Sequence, residues 1–376
     1  MKILFFINVI PPQYGGGFLR VFKIASRFKC YGLLYKIMTY TKKNVYRDMM
    51  GITSQDCIFL QNKIISIFLL VFFLFKNRKN FDVLYIASTQ WYTVMPTYIC
   101  KFLGKKVVAG ITLSMVDSPA VSVKGWVKSL YYKFKNSQFK KADYLFVNSP
   151  LLYKECVDCG FSEYKVRLIN NPVDTDIFHP VGEQEKGLLK NELGIDNGIK
   201  TLLFVGSINY RKGADLLPEI FERLFRKTTQ RINFIMCGQD GYPESQEIIN
   251  GIKRVLNKNG SMFILKREAQ DVHKYYKIAD IFIFPTTNEG MPNVILEAMA
   301  SGCMIICNNL HGITDYSLSK EFLVTDNNVD EYVDRIIDFE SNKNFYKSLI
   351  DKNVEIIKHD FSIQKVDDSI KSILVQ

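Results

Sequence analysis

Residues 285–302 read Pro-Thr-Thr-Asn-Glu-Gly-Met-Pro-Asn-Val-Ile-Leu-Glu-Ala-Met-Ala-Ser-Gly. The apolar run Ile281-Phe-Ile-Phe284 before them predicts a buried strand, and Glu289-Gly-Met-Pro292 predicts a turn that opens a helix. Pro292 suits the first helical position, where no N–H is needed, and Gly302 suits the position just past the helix end. A strand, a tight turn and an apolar helix in that order are one step of a βαβ chain, which builds a parallel sheet. The helix start presents backbone N–H groups suited to a phosphate. Glu297, eight residues after Glu289, is flanked by Val294, Ile295, Leu296, Ala298, Met299 and Ala300. A carboxylate in so apolar a helix needs strong hydrogen bonds. Two sources remain open: sugar or ribose hydroxyls of a ligand, or backbone N–H groups and an arginine of the chain itself.

The same rhythm runs through the rest of the chain. Ile3–Val9, Val83–Ala87, Lys106–Thr112 and Tyr144–Asn148 read as strands, with Phe18–Phe28, residues 64–75 and Val123–Phe139 as helices between them. Asn170-Asn-Pro-Val-Asp-Thr-Asp-Ile-Phe-His-Pro180 is rich in turn formers and reads as a linker. Beyond it the pattern restarts: strands at Thr201–Gly206, Ile232–Cys237, Met262–Leu265 and Cys303–Asn308, helices at Leu216–Phe225 and Glu244–Asn257. The expected fold is α/β, with two doubly wound Rossmann-like domains facing a central cleft. Ligands of such sheets bind beyond the carboxyl ends of the strands.

Composition narrows the class. A chain of 376 residues is long enough for two cores, and 47% hydrophobic with 23% charged residues excludes a disordered chain. The opening Met-Lys-Ile-Leu-Phe-Phe-Ile reads as a strand and not as a signal peptide, so a reducing cytoplasm is expected for the eight cysteines. Cys156-Val-Asp-Cys159 lacks a second pair or a nearby histidine and reads as structural. Residues 1–180 hold 25 Lys+Arg against 10 Asp+Glu, and the remainder 24 against 28, so the net +11 divides as +15 and −4. The basic half attracts anionic partners.

Residues 64–75, Ile-Ile-Ser-Ile-Phe-Leu-Leu-Val-Phe-Phe-Leu-Phe, follow Lys63 and precede Lys76, Arg78 and Lys79. As a helix they reach about 18 Å, short of a bilayer core of about 30 Å. They are either a buried helix or an edge that dips into a membrane surface. Lys124–Lys141, with Trp126, Tyr131, Tyr132, Phe134 and Phe139 interleaved, suits a lipid interface. It also suits single-stranded nucleic acid, but no nucleic-acid motif accompanies it, and that partner ranks well below.

Glu-Gly-Met-Pro-Asn…Glu-Ala-Met-Ala-x-Gly resembles the paired-glutamate signature of retaining, sugar-nucleotide-dependent glycosyltransferases of family four, which have the GT-B fold. The resemblance is strong from 165 to 315, looser before that, and includes the Asn-x-Val-Asp-x-x-x-Phe linker. It implies an N-terminal acceptor-binding, membrane-facing domain (1–170), a nucleotide-sugar-binding domain (171–355) and a closing helix (356–376) that crosses back. It implies that Lys212, in Phe204-Val-Gly-Ser-Ile-Asn-Tyr-Arg-Lys-Gly213, clamps the donor diphosphate with Arg211. Ser207 stands directly after Gly206 where the family carries an arginine. Glu297 would bind the ribose hydroxyls, Glu289 would face the donor sugar, and Gly290, Met291, Pro292 and Asn293 would line sugar and phosphate. Leu265, Lys266 and Arg267 would meet the base.

In the N-terminal half, Gly15, Gly16 and Gly17 of Tyr14-Gly-Gly-Gly-Phe-Leu-Arg20 would approach donor phosphate or acceptor, with Arg20 as a basic residue of the following helix. The family often has a histidine after the strand at Lys106–Thr112. The four histidines here, His179, His273, His311 and His359, lie elsewhere, and Ser114 or Asp117 would be the local substitute. As a turn or helix cap Asp117 needs no catalytic role. Asp174-Thr-Asp176 has the Asp-x-Asp form of metal-dependent transferases of another fold, but its place in the linker reads as structural, so no metal and no cofactor are expected. The implied activity is retaining transfer of a hexose-type sugar from a UDP- or GDP-linked donor to a hydroxyl of a lipid-linked glycan. Front-face substitution is the route implied, with a donor phosphate oxygen taking the acceptor proton. The setting implied is lipopolysaccharide, O-antigen or capsule synthesis at the inner face of the cell membrane, with the enzyme peripheral on an anionic surface. A sugar-nucleotide epimerase on the same fold and a non-catalytic nucleotide-sugar-binding scaffold are the rival readings.

Overall fold

The computed structural model describes residues 1–10, 16–60, 63–111, 119, 125–267, 271–289, 291–310 and 318–375. The chain divides into two compact units, one of Met1–Asn171 with the segment from Val366 on, the other of Pro172–Lys365.

The first unit is built on seven parallel strands: β1 (Ile3–Phe6), β2 (Leu34–Thr39), β3 (Cys57–Phe59), β4 (Val83–Ile86), β5 (Lys106–Ile111), β6 (Tyr144–Val147) and β7 (Val166–Leu168). Their order is β3-β2-β1-β4-β5-β6-β7. Alternation along β1 shows why both faces are covered: Ile3 and Phe5 enter one core, Leu4 and Phe6 the other. The first core takes the helix Gly16–Cys30 through Val21, Ile24, Ala25 and Phe28, and the last helix, Ile363–Val375, through Val366, Ile370 and Leu374. An i, i+4, i+8 stripe of this kind contributes about 1.5–3 kcal/mol per buried Val, Ile or Leu. Arg27 adds a two-bonded fork onto the fully buried Asp367, with both contacts at 2.7 Å.

Three helices, Lys63–Lys76, Val94–Phe102 and Trp126–Lys141, pack side by side over the other core. The first of them is neither wholly buried nor free. Leu70 and Leu74 face the core, while Leu69, Phe72 and Phe75 face outward, with Phe72 68% exposed. Phe75 meets Phe102 at 6.4 Å between ring centroids, and Lys141 lies over Tyr98 at 5.7 Å. Phe102 (82%), Trp126 (80%), Leu130 and Phe134 are exposed as well. Among the described residues no helix is long and apolar enough to cross a membrane.

The second unit holds six parallel strands: β8 (Lys200–Val205), β9 (Ile232–Cys237), β10 (Met262–Lys266), β11 (Ile281–Phe284), β12 (Met304–Asn308) and β13 (Leu323–Val324), in the order β10-β9-β8-β11-β12-β13. β11 registers on β8 through Ile281 with Leu202 and Phe282 with Leu203. The strand order reverses between these two, and that point is where α/β sheets place ligands. The helix Leu217–Lys227 buries Leu217, Ile220, Phe221 and Leu224, one apolar stripe at helical spacing.

The closing segment, expected as one helix over 356–376, is broken. The helix Lys343–Ile356 runs into a wide turn at Ile357–Phe361, Ser362 is extended, and Ile363–Val375 starts a new helix. The break has a cause: Val173 N–H donates to Phe361 O at 2.8 Å and Ile363 N–H to Val173 O at 3.2 Å, so the linker takes backbone bonds a continuous helix would keep.

Candidate active site

Two loops leave the sheet at its reversal point. After β8 the chain passes Gly206 and Ser207 and makes a tight 3-10 turn at Tyr210–Lys212, capped by Asn209, whose Oδ1 accepts Lys212 N–H at 3.0 Å. Gly213 follows with φ +67°, and a Cβ there would stand 1.8 Å from Pro285 O. The second loop, after β11, carries Pro285 to Glu289. The two are stitched at Arg211 O, which accepts Thr287 N–H at 2.9 Å, with the Thr286 and Thr287 hydroxyls each at 3.0 Å.

That seam brings the expected residues together. Lys212 Nζ bonds Glu289 Oε1, and Arg211 Nη1 reaches the same oxygen at 3.1 Å and Asn288 O at 2.9 Å. Thr286 Oγ1 lies 3.1 Å from Glu289 Oε1. Lys212 and Glu289 are largely buried, at 14% and 11% side-chain exposure, whereas Arg211 is half exposed. Lys212 also lies over the Phe284 ring at 5.1 Å. Burial lowers the Lys212 pKa, and the Glu289 carboxylate only partly offsets this. The two cations stand on the 3-10 turn, ahead of the helix that begins at Leu217, and both converge on one carboxylate.

The glutamate helix spans Asn293–Ala300. Pro292 caps it with φ −73° and ψ 113° and is not its first residue, because its extended ψ lies outside the helical range. Gly302, at φ +74°, follows the helix end as expected. Glu297 is half-buried. The fully buried Tyr276 hydroxyl hydrogen-bonds its carboxylate, and burial, then Glu297, raises the Tyr276 pKa far above normal. A tyrosine is thus among the chain's own partners for Glu297. Tyr276 lies in Val272–Ile278, a short helix absent from the sequence reading above. Leu265 and Lys266 end β10, and Arg267 just beyond it pairs with Asp240 at 2.6 Å.

Residues 185–355 match the sequence family described as "Glycosyl transferases group 1". That segment, a little under half of the chain, is similar to the group 1 glycosyltransferases. It resembles the alpha-galactosylglucosyldiacylglycerol synthase of Streptococcus pneumoniae, with 24% identity over 236 residues, 61% of this chain and 60% of that protein. An uncharacterized glycosyltransferase of Haemophilus influenzae is 31% identical over 191 residues, 50% of this chain and 52% of the other. The matched region spans between half and three-fifths of the length of these two relatives. The crystal structure of Alr3699/HepE from Anabaena in complex with UDP superposes with a TM-score of 0.80 over 100% of both chains at 16% identity, a likeness of fold. The two parallel-sheet α/β units are those of GT-B glycosyltransferases.

The loop bearing Glu289 rests on residues that sequence reasoning did not single out. Asn308, at the end of β12, donates to Thr286 O at 3.0 Å. Asn327 donates to Pro285 O at 2.9 Å and accepts the buried Tyr332 hydroxyl at 2.8 Å. Asp326 and Asn327 both hold left-handed backbone, at φ +48° and +55°, a conformation uncommon outside glycine. The only local hint is that Asn tolerates it.

The N-terminal candidates fare differently. Gly15 and Asp117 lie outside the described residues, as does Gly290 in the second unit. Gly16 and Gly17 are in the first turn of the helix Gly16–Cys30 and not in a loop. Arg20, expected as a donor-facing cation, is 4% exposed and donates to Ile169 O at 2.6 Å and Asn170 O at 3.3 Å. It shares the helix face of Val21, Ile24 and Phe28, which turns it toward the core. Asp174 Oδ1 accepts Asp176 N–H at 3.2 Å inside its own turn. Among the described residues no group of His, Cys, Asp and Glu is placed to hold a metal ion.

Proposed function

We propose that the chain is a retaining glycosyltransferase that moves a hexose-type sugar from a nucleoside-diphosphate sugar to a hydroxyl of a lipid-linked glycan. The observation that carries this reading is the convergence of Lys212 and Arg211 on Glu289 at the sheet's reversal point. As the glycosidic bond to the diphosphate breaks, negative charge grows on the leaving oxygens. A buried ammonium and an adjoining guanidinium, already fixed by the Arg211–Thr286–Thr287 seam, stabilise that charge without reorganising. Glu289 holds both cations in place before the donor arrives, and the diphosphate takes over part of their charge. Fixed cations thereby supply what a metal ion supplies elsewhere, and the reaction is metal-independent. Glu297, oriented by Tyr276, binds the ribose hydroxyls. The neighbour solved with UDP favours uridine over guanosine. Front-face departure and attack, with a donor phosphate oxygen accepting the proton, retains configuration and needs no enzyme nucleophile.

The acceptor side rests on the first unit. Its three outer helices expose Phe72, Phe102, Trp126, Leu130 and Phe134 amid Lys63, Lys76, Arg78, Lys79, Lys128 and Lys133. Aromatics ringed by cations suit an anionic lipid surface. A diacylglycerol glycolipid synthase among the relatives fits a lipid-bound acceptor. In this reading the protein works on the inner face of the cell membrane, in surface-polysaccharide synthesis.

The test is calorimetric titration with UDP, GDP, ADP and CMP without added metal. One diphosphate binds selectively, and Lys212→Ala and Glu297→Ala each weaken it about 10–100-fold, the loss of a charged hydrogen bond. Absence of binding by the folded chain overturns the donor reading. Sedimentation with phosphatidylglycerol vesicles tests the membrane part separately: Phe72→Asp with Trp126→Asp abolishes binding, and equal binding by the native chain to neutral vesicles defeats that part alone.

A further inference from the structure

The opposite end of the second sheet carries a charge cluster that glycosyl transfer does not use. β8 starts at Lys200 and reaches the Lys212 loop only beyond Val205, roughly 17 Å further along the strand. Where β8 and β11 begin, a cavity of about 560 Å³ opens between the helix Glu183–Glu192 and the helix Val329–Ser341.

Its charges do not balance. Asp280 serves two ammoniums, Lys186 at 2.5 Å and Lys190 at 3.6 Å, and also accepts Thr201 N–H at 2.8 Å. Glu340 likewise serves two, pairing with Lys200 and lying 3.7 Å from Lys343. Arg231 lines the same cavity and makes no ion pair among the described residues. With Glu183 as the third carboxylate on the wall, five cations face three anions. Lys190 is itself buried, and Lys200 lies against the Phe339 ring at 4.7 Å, so water screens these two ammoniums poorly, while Arg231 and Lys343 stand exposed at the rim. Burial lowers the Lys200 ammonium to about 8; Asp280 opposes the shift, and Lys343, Lys186 and Lys190 deepen it. The ammoniums crowd around shared carboxylates, and a polyanion relieves their mutual repulsion with charge-assisted hydrogen bonds. The volume lies within the range of small-ligand sites.

We propose that this cavity binds a small anion of the phosphate class, held chiefly by Lys200, Lys343 and Arg231. The site lies across the sheet from the donor loops and stands or falls independently of the donor reading.

Thermal unfolding of the full chain tests it, in phosphate or glucose 1-phosphate against chloride at matched ionic strength. Both phosphates raise Tm saturably, by about 2 °C at ten times Kd for a chain of this length. Tighter binding of the ester marks a phosphorylated metabolite as the ligand, and equal binding marks the free ion. Lys200→Met with Arg231→Gln abolishes the rise, whereas Lys212→Ala keeps it. Should the double variant not fold, Arg231→Gln alone, at an exposed position, weakens binding about tenfold. An equal rise in chloride, or a rise that survives the Arg231 and Lys200 substitutions, overturns the proposal.

Discussion

Replacing Gly213 by Ala probes whether the two active-site loops are locked as described. At φ +67° an alanine costs roughly 1–2 kcal/mol for its left-handed backbone alone. The larger cost is collision. The new Cβ would lie 1.8 Å from Pro285 O and 2.5 Å from Pro285 C, so the loops must part by roughly 1.4 Å to approach ordinary contact. The seam at Arg211 O has bonds of 2.9, 3.0 and 3.0 Å, and a shift of that size breaks them. At about 0.5–1.5 kcal/mol each, three lost bonds and the backbone term give about 2.5–6.5 kcal/mol. Gly194 is the control. Its φ is +69° with nothing within 4 Å, so Gly194→Ala carries only the backbone term, about 1–2 kcal/mol. Urea unfolding of both variants reads the difference, and UDP calorimetry reads the displacement of Lys212. If Gly213→Ala falls within about 1 kcal/mol of Gly194→Ala and binds UDP like the native chain, the loops are not locked at Pro285 and the reasoning fails.

Two further outcomes follow from named contacts. Tyr332→Phe leaves the Asn327 carbonyl without its buried donor and destabilises the chain by about 1–3 kcal/mol in urea unfolding; no change would mean that Asn327 is held by its other bonds alone. Lys200 titrates near 8 in the fold against 10.5 unfolded, so between those values the unfolded chain binds more protons and rising pH favours the folded state. In phosphate-free buffer the native chain therefore gains stability relative to Lys200→Met between about pH 8 and 10.5. Glu340, Asp280, Lys343, Lys186 and Lys190 face it in both proteins, and a pH-independent difference would contradict the buried state of Lys200.

The sequence by itself determined the two parallel sheets. Ile281-Phe-Ile-Phe284 is apolar at every position and Ile232–Cys237 at every position but Asn233, as suits strands covered on both faces. Gly302, two residues past the end of its helix at Ala300, was legible because backbone conformation there depends on the residue itself. Shorter strands, β3, β7 and β13 among them, were not legible, since two or three residues carry too little periodicity. Side-chain partners were beyond local reading. Lys212 and Glu289 are 77 residues apart and meet because β8 and β11 are neighbours in the sheet. Tyr276 finds Glu297, and Asn327 finds Pro285, for the same kind of reason. Arg20 turned inward because its helix face is apolar, although the family resemblance implied a donor contact. Strand order decides which loops adjoin, and only the packed core fixes strand order, so the residue types of the site were written locally and their pairing was settled by tertiary structure.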